Sequence, residues 1–364
     1  MRVVLMMLFA LSMILFGAEL FTNGIEWLGR KLGLGDGAVG SVLAALGTAL
    51  PETAVPVTAI LFGSGSKASQ EVGMGGILGA PFLLVTLGSL IMAVALWVRH
   101  ITQDSADRLQ VRGKAFYRDM MFFLLTFSFV IITGVVPWPW LHDLAPWFLV
   151  GVYLVFVVTA LREKLNSPSS ELPHCLYLQW QASEPAWQSV VLQLLLSLLA
   201  IIAGAQLLSS GVSQVALSLG MPTFALSALL IPLATELPET LNSVVWIRQG
   251  KDALALGNVT GAMVFQSTLV PALGIWLTPW RLDLPALLTG SATLAAGSLL
   301  LSFFLLRHRL VPGLLAGASL LYWVLPLQAL AGRYDLNEWA AGLTLAIVIA
   351  VVFVFRWNLR VRDA

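Results

Sequence analysis

The sequence predicts an all-α, polytopic membrane protein made of two inverted five-helix repeats plus one extra C-terminal helix, and three observations carry that prediction. The chain of 364 residues is 58% hydrophobic and 11% charged, with a mean hydropathy of +0.88; a soluble domain carries about 25% charged residues. Apolar stretches of about 20 residues, the length a spanning helix needs, recur along the whole chain. Eleven of them are centred near residues 13, 49, 85, 128, 152, 199, 234, 266, 296, 321 and 348. The third observation is internal duplication: residues 16–53 align without a gap with 203–240 at a constant offset of 187, with 14 identities in 38 positions.

The first apolar stretch continues past Glu19 without a short apolar core and a small-residue cleavage pattern, so it reads as span one rather than a leader. Residues 1–162 then form the first membrane repeat and 163–187 a cytoplasmic linker, whose "REKLNSPSSELPHC" has a Ser/Pro/Glu composition. Residues 188–333 form the second repeat, and 334–364 the extra helix (339–356) and tail. Five is odd, so the second repeat enters the membrane from the opposite side. The segments after the odd-numbered spans hold 16 of the 20 basic residues, which puts the amino terminus outside and the carboxy terminus in the cytoplasm of a multi-pass cell-membrane protein. The lone Cys175 excludes an intramolecular disulfide and a multi-cysteine metal site. The expected partners are the lipid bilayer and small inorganic cations, with no nucleic acid, no cofactor and no indication of oligomeric state.

The strongest motif is a heptad that occurs twice, "GTALPET" at 47–53 and "ATELPET" at 234–240. Glu52 and Glu239 lie near the centres of their spans, where an ionised carboxylate costs about 2.5–3.5 kcal/mol on insertion scales. Pro51 and Pro238 each remove a backbone donor and disfavour helical geometry before them. The expected result is a broken helix in which freed carbonyls, the carboxylate and the hydroxyl of Thr48 or Thr235 make an all-oxygen site suited to Na+ or Ca2+. The companion spans contribute unequally: "GNVTGAMVFQST" offers Asn258, Thr260, Gln266, Ser267 and Thr268, whereas "GGILGAPFLLVT" offers only Thr86.

Two copies of Thr-x-Leu-Pro-Glu, preceded by Gly47 in one and Ala234 in the other and each followed by Gly-Asn-Val-x-Gly or a relative of it, resemble the α-repeats of the cation/Ca2+ exchanger superfamily, whose best-known members are the sodium/calcium exchangers. The resemblance covers residues 16–90 and 203–275. It implies ten helices in two inverted repeats, cation-binding Glu52 and Glu239, and roles for Thr48 and Thr235 beside them. The sequence departs from the family pattern at the Ser after the motif Thr, which is Ala49 in one copy and Glu236 in the other. It departs again at Ala80, Pro81, Ala262 and Met263 in the companion motif, and at Pro56, where the second copy keeps Ser243. Glu236 therefore adds a third carboxylate to a site that has lost hydroxyls, and crowding and burial favour its carrying a proton in place of a metal.

The function read from these residues is secondary antiport of Ca2+ against Na+ or H+, with Glu52, Glu239, Glu236, Thr48, Thr235, Asn258, Gln266 and Ser243 as the cation-binding set. A cation channel using the same carboxylates is the alternative from another class, and Na+/H+ exchange without Ca2+ is a further one. An enzyme is disfavoured because no nucleophile or histidine accompanies the glutamates; the four His stand in loops or at span ends. Gly75/Gly79 and Gly257/Gly261 are GxxxG pairs and predict close helix packing.

Overall fold

A computed structural model describes residues 2–32, 49–63, 65–103, 108–164, 175–180, 184–334 and 337–360, and for residues 103, 161–164, 237–239, 332, 337 and 338 the helix backbone without the side chains. The regular secondary structure of the described residues is helical, joined by short turns and irregular segments, with an isolated bridge between Leu109 and Leu310. The first half contains α1 (Arg2–Lys31), α2 (Leu50–Phe62), α3 (Lys67–Leu83), a π-helix at Leu84–Gly88, α4 (Ser89–Gln103), α5 (Gly113–Val135) and α6 (Pro139–Lys164). After a short 3-10 turn at Tyr177–Gln179 come α7 (Trp187–Leu219), α8 (Thr223–Arg248), α9 (Asp252–Gln266), α10 (Leu269–Leu277) and α11 (Leu284–Arg307). The chain ends in α12 (Pro312–Ser319), a 3-10 turn at Leu320–Trp323, α13 (Val324–Tyr334) and α14 (Asn337–Arg360).

Nine helical stretches among the described residues are long and apolar enough to cross a membrane, and Thr223–Glu236 with Thr240–Arg248, bent by 45°, makes a tenth. The eleventh expected span, centred near residue 49, is described only from Leu50 to Phe62, which is too short to cross alone.

Local sequence sets several helix ends. The Ser66 side chain accepts from the Ser69 N–H at the start of α3, and Asp283 accepts from Ala286 N–H at the start of α11. Gly220 closes α7 in the left-handed conformation at φ 62°.

The inversion of the two halves is visible in the packing of α1 against α7. A Cβ on Gly17 would stand 2.9 Å from Ile201 Cγ1, and one on Gly204 would stand 2.9 Å from Ile14 Cγ1. Likewise a Cβ on Gly24 would meet Leu194 Cδ2 at 2.9 Å, and one on Gly211 would meet Met7 Cγ at 2.5 Å. The offset of 187 carries Gly17 onto Gly204, Gly24 onto Gly211, Ile14 onto Ile201 and Met7 onto Leu194. Each contact is thus made twice with partners exchanged, the mark of a two-fold axis. Because 10 meets 204 while 24 meets 194, the two equivalent helices run antiparallel.

The centre of the molecule is formed by α8, which packs on α3, α9, α4, α7, α13 and α2. Burial follows this arrangement: the apolar window of Lys67–Thr102 is 78% buried and that of Asp252–Leu277 61%, against 17% for α1 and 11% for Trp339–Arg360 in α14. The last two face outward and read as lipid-facing. Of the two GxxxG pairs, Gly75 and Gly79 lie hard against α8, with a Cβ on Gly79 only 2.3 Å from the Ala228 carbonyl oxygen. No described residue comes within 4 Å of a Cβ on Gly257 or Gly261. The α8 residues that meet Gly75 and Gly79, namely Phe224, Ser227 and Ala228, correspond by the offset of 187 to positions 37, 40 and 41, which lie outside the described residues.

Candidate functional site

The site grows from the two motif helices. Pro51 stands in the first turn of α2, where its missing N–H costs nothing, and Glu52 follows it, 4% exposed. The Thr53 hydroxyl donates to the Ala49 carbonyl at 2.9 Å. Thr48 lies outside the described residues. Within the same helix, Pro56 has no N–H to give the Glu52 carbonyl.

The second motif does not end its helix as the sequence suggests. The helix α8 runs through it from Thr223 to Arg248, but bends by 45° between Glu236 and Thr240. Pro238 removes the donor to the Ala234 carbonyl, and a kink at proline is the ordinary outcome. Glu236 is fully buried at the bend, and Thr240 Oγ1 donates to the Glu236 carbonyl at 2.8 Å. Thr235, 3% exposed, donates its hydroxyl to Ile231 O at 3.2 Å. Ser243 is fully buried one turn beyond the bend. Only the backbone of Glu239 is described, so its side chain lies outside the described part of the site.

The companion helices are irregular at equivalent places. In the first half the backbone passes into a π-helix at Leu84–Gly88, and a π-bulge often marks a functional site. The offset of 182 that relates 75–82 to 257–264 carries 84–88 onto 266–270, where α9 stops at Gln266 and α10 starts at Leu269. Thr268 between them has φ −124° and ψ −82°. Pro271 carries no N–H for the Ser267 carbonyl.

This break delivers one side chain directly to the motif helix. Gln266, 2% exposed, donates from Nε2 to Glu236 Oε1 at 2.5 Å. Its own Oε1 is buried and accepts no hydrogen bond among the described residues. Asn258 is half-buried on α9, about two turns before Gln266. Among the described residues, no three His, Cys, Asp or Glu side chains gather into one cluster. The arrangement thus brings Glu236, Gln266, Thr235 and Ser243 onto adjoining buried helices, with Glu52 on α2, which packs against α8. Buried carboxyl and amide oxygens at two helix irregularities can hold a hard cation or a proton.

Glu19, which matches Gln206 in the repeat, is not part of this group; it is exposed and accepts from the Tyr177 hydroxyl at 2.9 Å. Two buried groups near the site carried no motif in the sequence: Asp119, 4% exposed, and Thr126, both on α5. Their only signal is spacing, since Asp119, Thr126 and Thr133 form a seven-residue polar stripe in an otherwise apolar span.

A family model described as "Sodium/calcium exchanger protein" matches residues 2–162 and 189–357. The chain is 26% identical over 306 residues to a putative antiporter, CaxA, from Alkalimonas amylolytica, covering 82% of this chain and 88% of that one. Among solved structures, an H+/Ca2+ exchanger named CAX superimposes with a TM-score of 0.66 at 19% identity, over 99% of this chain and 90% of the other. A sodium-calcium exchanger, NCX_Mj, gives a TM-score of 0.51 at 18% identity over 89% and 97% of the two chains. At these identities the two structures share the fold with this chain.

Proposed function

The chain belongs to the sodium/calcium exchanger family, and from that premise we propose that it is a secondary active antiporter moving Ca2+ across the cell membrane in exchange for Na+ or H+. The observation that carries the reading is the placement of Glu52 and Glu236, buried on two helices that pack together inside an apolar bundle. Carboxylates at that depth are costly unless a cation or proton neutralises them. Gln266 adds a buried oxygen that accepts no hydrogen bond among the described residues and is suited to a hard cation. Glu239, Thr48, Thr235, Asn258 and Ser243 complete the proposed cation-binding set. The cations are cargo, and no cofactor is invoked. The two repeats at 1–162 and 188–333, the linker between them and the outward amino terminus belong to the same proposal. The packing of the antiparallel pair α1 and α7 beside the central helices supports alternating access in which that pair slides past the site.

Exchange against H+ gains support from Glu236. Its carboxyl is fully buried and stands where the family pattern has a hydroxyl, so a bound proton removes the cost of burying its charge, and fewer ligands are left for separate Na+ sites.

Ion-resolved flux in proteoliposomes tests the proposal. Ca2+ uptake is expected to follow an imposed gradient of H+ or Na+ and to stop in Glu52→Gln and Glu239→Gln. Undiminished transport by both variants sinks the site, and uptake needing no ion on the far side turns the reading into a channel.

A further inference from the structure

Two side-chain hydrogen bonds tie α5 to α9. Thr260 Oγ1 donates to Asp119 Oδ2 at 2.8 Å, and the hydroxyls of Thr126 and Ser267 stand 2.7 Å apart. Each pair is 141 residues apart in sequence, and the pairs lie seven residues apart on both helices, so the helices run parallel with one polar stripe facing another. All four side chains are buried: Asp119 4%, Thr126 2%, Thr260 3% and Ser267 0% exposed.

The Asp119 carboxylate is itself fixed. Arg118 reaches its Oδ1 from Nε at 3.0 Å and from Nη2 at 2.8 Å, and the Arg118 guanidinium lies over the Phe156 ring of α6. At the other end, Ser267 follows Gln266 directly as the cap of α9, its N–H still donating to the Met263 carbonyl at 3.0 Å, and the backbone leaves the helix repeat at the next residue, Thr268.

Among the described residues, the first half has no such tie at the equivalent positions. The offset of 182 puts Leu78 and Val85 where α9 has Thr260 and Ser267, and Leu84 where it has Gln266. A polar link needed only for helix packing would be wanted in both halves. It occurs in the half whose companion helix sends a side chain to a carboxylate.

We propose that Asp119 and Thr126, neither of them in a repeated motif, are positioning residues for the ion site: they fix the register of α9 so that Gln266 meets Glu236. The inference rests on the antiport reading of that site.

The test uses the full chain in proteoliposomes, with Ca2+ uptake measured against Ca2+ concentration. Thr126→Val keeps the shape and removes the hydroxyl; loss of one buried hydrogen bond is expected to raise the KM for Ca2+ about three- to tenfold while the maximal rate stays within about twofold. Thr126→Ser restores the hydroxyl and the KM. Ser267→Ala, which removes the same bond from the other side, is expected to match Thr126→Val, and the double variant to be no worse than either single one. Asp119→Asn is expected to move KM in the same direction. A Thr126→Val protein with lower thermal stability and an unchanged KM overturns the proposal, and so does a Thr126→Ser protein as impaired as Thr126→Val. If Thr126→Val fails to fold, Ser267→Ala alone decides by the same KM criterion. A wild-type protein that moves no Ca2+ under any gradient overturns the antiport reading together with this one.

Discussion

Gln266 and Glu236 meet at 2.5 Å, joining the end of α9 to the bend of α8. Both side chains are buried, so removing Gln266 takes from Glu236 a hydrogen bond that bulk water does not replace. Gln266→Leu is therefore expected to lower stability by about 1–3 kcal/mol and to cut Ca2+ flux by at least about tenfold. Gln266→Asn, shorter by one methylene, is expected to fall between the two. Thermal unfolding in detergent and vesicle uptake measure the two effects; full flux from Gln266→Leu removes this pair from the transport site.

A buried ion pair links the halves at a distance from that site. Arg99, 6% exposed, donates from Nη1 to Asp252 Oδ1 and from Nη2 to Oδ2 at 3.1 Å, while Asp252 Oδ2 also accepts the Gln110 N–H at 2.9 Å. Nη1 reaches the Ile247 carbonyl as well, at 2.8 Å. The tie joins the end of α4 to the turn between α8 and α9. Breaking such a pair from one side costs about 3–5 kcal/mol, because the remaining charge stays buried. Arg99→Met and Asp252→Leu are each expected to lower the unfolding temperature sharply, and the double variant to recover much of the loss. A double variant no better than the worse single one contradicts the account.

The parts of this fold that were legible in the sequence are those that are duplicated. Gly17, Gly24, Gly204 and Gly211 stood out because each recurs at an offset of 187, and they are the glycines through which α1 and α7 approach. Pro238 and Glu236 marked the irregular turn of α8, although the sequence suggested a break where the backbone bends by 45° and continues. Contacts made in one half only left no such trace. Arg99 with Asp252, Asp119 with Thr260, and the choice of Glu236 as the partner of Gln266 depend on which helices pack together. Ordinary residue types at ordinary spacing do not encode that choice. The π-helix at Leu84–Gly88 was equally hidden, since Pro81 and Gly88 signal a weak stretch without saying how the backbone resolves it.

Gly79 illustrates how little room the central packing leaves. A Cβ there would lie 2.3 Å from the Ala228 carbonyl oxygen and 2.7 Å from its Cα, and backbone atoms cannot rotate away as a side chain does. Gly79→Ala is expected to destabilise the protein by about 1–3 kcal/mol. Gly151 on α6 serves as the control, because no described atom lies within 4 Å of its Cβ position; there Ala is expected to be neutral or to gain up to about 1 kcal/mol from helix propensity. Equal unfolding temperatures for the two variants contradict the packing argument.

Residues 175–180 are held against α1 and α7. Leu176 is fully buried with Trp27 and Val190, the Tyr177 N–H donates to Asn23 Oδ1 at 3.3 Å, and the Leu178 N–H donates to Gln193 Oε1 at 3.0 Å. The Tyr177 hydroxyl adds its bond to Glu19. That bond, then burial, then the charges of Glu19 and Glu26 push the Tyr177 phenol above its ordinary value of 10.0. A raised value means the stabilising bond is fully present below about pH 10 and is lost as pH rises through the higher folded value. Docking of 175–180 is therefore expected to be insensitive to pH between about 6 and 9 and to loosen only in strong alkali, by a small amount, since Tyr177 is half exposed. Limited proteolysis at residues 175–180 across this pH range is the measurement. Tyr177→Phe is expected to be slightly more susceptible at neutral pH and to lack the alkaline step; an identical alkaline step in the variant assigns it to another group.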